Sequence, residues 1–214
     1  MSDYHDRFFK ELFSVKAHAV ELAAHLLPAA VAGNLDVESF RLDPTSYLDP
    51  ELATFFSDLV YTCQYGADQL RIALLFEHKS APRADLAYQL LQYMMGIWRH
   101  NHQQDQAMMP VVPMVLYHGK RPWRPGDFWS CFEALPVDIS GYIPNFDYVF
   151  MDLSCYTDKQ LKAGAFKAAA VKIGLLIMKR IYDQDNLEKA AAFVATRHAA
   201  GHAARRFGRP CRGH

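Results

Sequence analysis

Ser57-Asp58-Leu59-Val60-Tyr61-Thr62-Cys63-Gln64-Tyr65, then Gly66-Ala67-Asp68-Gln69, then Leu70-Arg71-Ile72-Ala73-Leu74-Leu75-Phe76-Glu77-His78-Lys79 is the stretch on which the fold turns. Both flanks are rich in β-branched, aromatic and aliphatic residues, the composition of strands. The four residues between them suit a hairpin loop. If that loop closes symmetrically, Tyr65 pairs with Leu70 and every facing pair of residue numbers sums to 135. Cys63, Tyr61 and Leu59 then face Ile72, Leu74 and Phe76, an apolar surface fit for a core. The other surface pairs Gln64 with Arg71, Thr62 with Ala73, Val60 with Leu75, and Asp58 with Glu77.

Facing residues in an antiparallel ladder have Cα atoms about 4.5–5.5 Å apart. Two carboxylates at roughly 4–5 Å repel by about 3–4 kcal/mol at an effective dielectric near 20. A divalent cation resolves that conflict, because two carboxylates with a backbone carbonyl and waters suit Mg²⁺. Lys79 lies two residues beyond Glu77 and shares its face of the strand. The alternative at this point is a surface acid pair that Lys79 neutralises without any metal.

Working outward, Asp6 to Leu27 has helical periodicity in its apolar residues and ends at Pro28. Phe40 to Leu48 reads as a short edge strand on either side of Pro44. Ser80-Ala81-Pro82 is expected to open a helix with Ser80 as cap and Leu86, Leu90, Leu91, Met94, Met95 and Trp98 on its apolar face. Val111 to Tyr117 is a nearly continuous apolar run, as in a strand covered on both sides. Tyr148 to Leu153 is a further strand. Thr157-x-x-Gln160 resembles a capping box and opens a helix to about Tyr182, followed by a last one from about Asn186. The expected fold class is α/β, a mixed central sheet flanked by helices. The expected division is a domain over 1–185 and a helix with a basic tail over 186–214.

Twenty-three basic and 23 acidic residues give a formal net charge of zero, so any electrostatic footprint must come from uneven placement. Ala190 to His214 contains no Asp or Glu and carries Arg197, Arg205, Arg206, Arg209 and Arg212. Such a stretch suits phosphate contact or a solvated terminus. Four widely spaced cysteines without a CxxC pair fit reduced thiols rather than a zinc knuckle. The charged start lacks the apolar segment of a signal peptide, and no run is long enough for a membrane span, so a cytoplasmic protein is expected. P-loop, HExxH and G-x-S-x-G motifs are absent from the sequence.

Phe56-Ser57-Asp58-Leu59-Val60-Tyr61 followed by Leu75-Phe76-Glu77-His78-Lys79-Ser80 resembles the D…ExK signature of PD-(D/E)xK nucleases. Three further blocks narrow the likeness: His5 to Phe13, Leu90 to Met94, and Pro113 to Trp123. Together they resemble the Rpn family of bacterial recombination-promoting nucleases, also labelled transposases, over roughly residues 4 to 155. The Ala-, Arg- and Gly-rich end departs from that pattern, since members of the family usually continue with more helical chain.

The resemblance implies a PD-(D/E)xK restriction-endonuclease-like core and metal-dependent DNA cleavage linked to recombination or mobile elements. It implies Mg²⁺, with Mn²⁺ as a substitute, held by Asp58, Glu77 and the His78 carbonyl. Lys79 would orient the attacking water and stabilise charge on the phosphate, completing a catalytic set of Asp58, Glu77 and Lys79. Glu11, Gln89, His118, Lys120 and Arg121 are accessory or substrate-contacting candidates. DNA is the expected partner, and a homo-oligomer is compatible with the sequence. The competing reading is a catalytically silent DNA-binding or interaction protein that keeps the fold of such a nuclease.

Overall fold

A computed structural model describes residues 2–43, 59–67, 70–163 and 166–180. Its sheet holds β1 (Arg41–Asp43), β2 (Leu59–Tyr65), β3 (Leu70–Lys79), β4 (Val111–Tyr117) and β5 (Val149–Asp152), paired in that order. β1–β2 and β2–β3 pair antiparallel, whereas β3–β4 and β4–β5 pair parallel. The sheet is therefore mixed, and with helices on both faces the α/β expectation is met.

The β2–β3 ladder runs from Leu59↔Phe76 to Tyr65↔Leu70, so each facing pair sums to 135 as the sequence predicts. Gly66 sits at φ 70°, the left-handed conformation a tight turn needs there. Asp68 and Gln69 of the expected loop lie outside the described residues, as does everything expected between Pro44 and Asp58.

Even-numbered residues of β3 face one layer. Ile72, Leu74 and Phe76 pack with Tyr61 and Cys63 against Phe9 and Phe13 of α1 (Ser2–Phe13) and Leu22 of α2 (Lys16–Leu26). A four-residue α3 (Ala29–Ala32) follows α2. Odd-numbered residues face the other layer, where Ala73 and Leu75 meet Leu86, Leu90, Tyr93, Met94 and Ile97 of α4 (Leu86–Gln103). Each large side chain buried this way contributes about 1.5–3 kcal/mol. The β4–β5 connection contains a short α5 (Val137–Ser140), and α6 (Asp158–Ala163) and α7 (Ala169–Arg180) complete the first layer.

Three helix expectations are corrected. The Asp6–Leu27 run is two helices that break at Ser14 and Val15. The carbonyls exposed at the end of α1 find partners off the helix: the Tyr61 hydroxyl lies 2.9 Å from the Phe13 oxygen and 2.8 Å from that of Ser14. The His18 ring donates to the Leu12 oxygen at 2.8 Å. Burial pushes the Tyr61 phenol up to about 12, so it stays a donor.

The helix after the signature begins at Leu86, not at Ser80. Arg83 forks onto the Asp85 carboxylate at 2.9 and 2.7 Å, which holds 80–85 in a turn. Met95, expected on the apolar face, is exposed. The Thr157–Gln160 capping box forms as predicted, with Gln160 Oε1 accepting from Thr157 N and Gln160 N donating to Thr157 Oγ1. It opens only the short α6, however. α7 has its own start, where the Glu21 carboxylate of α2 accepts from the backbone N–H groups of Lys167 and Ala168. Tyr182, the last helix and the basic tail lie outside the described residues.

At the far end of β3, four side chains fasten α1 to the sheet. His78 Nε2 lies 3.5 Å from Asp6 Oδ1, and His78 Nδ1 lies 3.4 Å from His118 Nε2. The ring of His5 sits 5.3 Å from that of His118. Burial, reinforced by the neighbouring His78 and His5, pushes the His118 imidazole down to about 3.

Two outcomes are expected. Tyr61→Phe leaves carbonyls at the end of α1 without their donor and lowers stability by about 1–3 kcal/mol, read as a reduced urea midpoint at unchanged slope. The second concerns pH. Between about 6.5 and 3 the unfolded chain protonates His118 while the folded chain does not. Stability therefore falls as pH is lowered through that window, by up to about 1.4 kcal/mol per pH unit. Urea unfolding at pH 6.5 and 4.5 should show a smaller loss in His118→Gln than in the wild type.

Candidate functional site

Glu77 is an odd-numbered residue of β3, paired in the parallel ladder with Val115. Its side chain therefore projects into the layer between the sheet and α4. It is 2% exposed. One carboxylate oxygen, Oε1, takes the Lys79 ammonium, which alternation brings to the same face. The other, Oε2, is buried with no hydrogen-bond partner among the described residues. A buried carboxylate oxygen left this way costs about 1–3 kcal/mol or more.

α4 supplies the wall opposite. Tyr93 is buried, and its phenol is pushed well up by burial and then by the charge of Glu77, so it remains a proton donor beside the acid. Gln89, one turn earlier, donates from Nε2 to the Tyr93 hydroxyl at 3.3 Å. Its Oε1 is buried with no partner among the described residues. Gln89 is thus brought to the acid through Tyr93. Arg83 and Asp85 form the rim: hydrogen bonding between them raises the guanidinium and lowers the carboxyl, with Glu77 and Lys79 adding charge effects in the same directions.

The structure sorts the remaining candidates by sheet face. The His78 side chain points to the opposite layer, among α1 and His118. Its backbone is another matter. Lys79 O accepts from His118 N, and Ala73 N donates to Pro110 O, so odd-numbered backbone groups of β3 turn toward β4. Strand backbones alternate, which aims the His78 carbonyl toward the β2 side.

Glu11 does not join the acid, contrary to its expected accessory role. It lies on α1, which covers the other face of the sheet, and it is exposed and paired with Arg7 at 3.0 Å. His118 is likewise buried on the His78 side, away from Glu77. Lys120 and Arg121 are exposed where the chain leaves β4 beside Lys79. Asp58 lies outside the described residues. Among the described residues no group of three or more His, Cys, Asp or Glu is arranged to hold a metal ion.

Tyr93, Arg83 and Asp85 were not singled out in the sequence. The signal for Tyr93 was its four-residue spacing from Gln89, which puts both on one helix face. Nothing comparable marked the Arg83–Asp85 fork, because it depends on the late start of α4.

A family model described as "Putative transposase, YhgA-like" matches residues 3–205. The chain is 27% identical over 183 residues to the recombination-promoting nuclease RpnD of Escherichia coli O157:H7, covering 85% of this chain and 69% of that protein. It is 26% identical over 131 residues to the recombination-promoting nuclease RpnA of Escherichia coli K12, covering 60% and 45% of the two chains. It is 22% identical over 185 residues to the inactive recombination-promoting nuclease-like protein RpnE of Escherichia coli K12, covering 86% of this chain and 60% of that one. The chain thus spans roughly half to two thirds of the length of these relatives. No solved structure matches. With Glu77 and Lys79 on one face of a mixed sheet and a family match over nearly its whole length, the chain belongs to the YhgA-like transposase family, among relatives named recombination-promoting nucleases.

Proposed function

We propose that the protein is a metal-dependent DNA endonuclease that hydrolyses phosphodiester bonds in recombination or in the movement of mobile elements. The observation that carries this reading is the Glu77 carboxylate: buried, paired through one oxygen with Lys79, and with its second oxygen unsatisfied among the described residues. As a device for stability this is a poor choice, because desolvating an ion pair costs more than an apolar pair of similar size. An acceptor oxygen held ready beside an ammonium group suits a cation and an anionic substrate.

Glu77 Oε2 would hold the ion, with Asp58 as the second carboxylate of the sequence-based set and the His78 carbonyl as a third oxygen. Mg²⁺, or Mn²⁺ in its place, would lower the pKa of a bound water and offset charge on the phosphate. Lys79 places its ammonium where negative charge grows as the phosphorus is attacked, and orients the attacking water. Tyr93, kept protonated beside the acid, limits its freedom, while Gln89 donates to the Tyr93 hydroxyl and holds it in place.

The relatives named as nucleases support the reaction class. The relative named inactive favours a second reading, a DNA-binding protein without cleavage. No helix among the described residues is long and apolar enough to cross a membrane, and a cytoplasmic site of action accords with DNA as substrate.

Plasmid nicking in Mg²⁺ separates the readings. The wild type is expected to convert supercoiled DNA to the open circle. Glu77→Gln and Asp58→Ala are expected to abolish that conversion, and Lys79→Ala to slow it by about 10²–10³-fold. Equal nicking by wild type and Glu77→Gln would reject the site. Binding without nicking by any of the proteins would support the silent reading.

A further inference from the structure

The chain leaves β4 directly beside Lys79, and what it does there is more than turn. Tyr117 is the register partner of Lys79 and lies on the same face of the sheet. Its hydroxyl donates to the Arg121 oxygen at 2.9 Å, so the chain folds back over the tyrosine ring. Gly119 makes this close approach feasible: a Cβ there would lie 2.0 Å from the Tyr117 hydroxyl oxygen and 2.2 Å from Cζ. Two residues past Arg121, Trp123 stands edge-on to Tyr117 at 5.0 Å and to Phe150 at 5.3 Å. Its backbone N–H donates to Asp152 Oδ2 at 2.9 Å, which ties the segment to the end of β5.

The result is a braced arm over residues 118–126. It contains Pro122 and Pro125, which restrict the backbone further. It contains no Asp or Glu. Lys120, Arg121 and Arg124 are exposed on it. No ion pair to Arg121 or Arg124 occurs among the described residues within 4.0 Å. In a chain of zero formal net charge, this is a local concentration of positive charge on the segment that leaves β4 beside Lys79.

We propose that this arm is a phosphate-binding clamp for double-stranded DNA, in which Lys120, Arg121 and Arg124 hold backbone phosphates flanking the one presented to Glu77 and Lys79. The proposal rests on the reading of that site as acting on DNA. Cations on a braced segment lose little freedom when they bind, and guanidinium groups match phosphate oxygens two at a time. The clamp positions the duplex and carries no base readout.

The test is equilibrium binding of a short labelled duplex by the full-length chain carrying Glu77→Gln, which prevents cleavage, across about 50–200 mM salt. Each phosphate contact contributes about 0.9 to the slope of log affinity against log salt. Combined Lys120→Ala, Arg121→Ala and Arg124→Ala should lower that slope by about 2 to 3 and weaken binding at least about tenfold at the lowest salt. Arg121→Lys with Arg124→Lys keeps the charges and should keep the parent slope. An unchanged slope in the alanine variant overturns the clamp, and so does a slope lost equally in the lysine variant. The outcome is separate from that of the nicking assay. A chain that nicks DNA but binds with the parent slope after alanine substitution loses only the clamp. A chain that never nicks, yet loses slope, keeps the clamp and loses the nuclease.

Discussion

β3 is covered on both faces along most of its length, and its period-two alternation is the constraint from which the rest follows. A slip of one residue would drive Phe76 and His78 into the layer beneath α4 and turn Glu77 toward Phe9 of α1. Neither layer tolerates that exchange, since one is lined by α1 aromatics and the other by the helix that carries Tyr93. The position of the candidate acid is therefore set by hydrophobic packing some distance away from it. β4, paired in parallel on the other edge, repeats the assignment by placing Val115 and Tyr117 beside Glu77 and Lys79.

That constraint was legible because it is local. The two strands of the hairpin are separated by four residues, and only one register gives an apolar face throughout, so the pairs from Leu59↔Phe76 to Tyr65↔Leu70 could be written down from the sequence. The helix boundaries were not legible in the same way. The break after Phe13 depends on the Tyr61 hydroxyl, 48 positions later in the chain. The separate start of α7 depends on the Glu21 carboxylate, which arrives from α2. Both breaks use tertiary partners for backbone groups that a continuous helix would have satisfied internally.

The candidate site divides along the same line. Glu77 and Lys79 follow from strand parity alone. Glu11 and His118 required knowledge of which layer their elements join, and the choice of layer is a matter of chain connectivity rather than of local pattern. Gln89 was accessible from its place one turn into the helix after the signature, but its connection to Glu77 runs through Tyr93 and became visible only once the two were packed together.

The two faces of β3 end in opposite chemistry, and this bears on how the acid is held. Behind the sheet, the His78–His118 pair is kept uncharged at His118 by burial and by its imidazole neighbours. In front of it, Glu77 and Lys79 form an ion pair. An imidazolium behind the strand would add positive charge where the interior screens it weakly. It would then compete with Lys79 in setting the field at Glu77. With His118 uncharged, the positive field at Glu77 is left to Lys79 on its own face of the sheet, with Arg83 close enough to act on the same carboxylate.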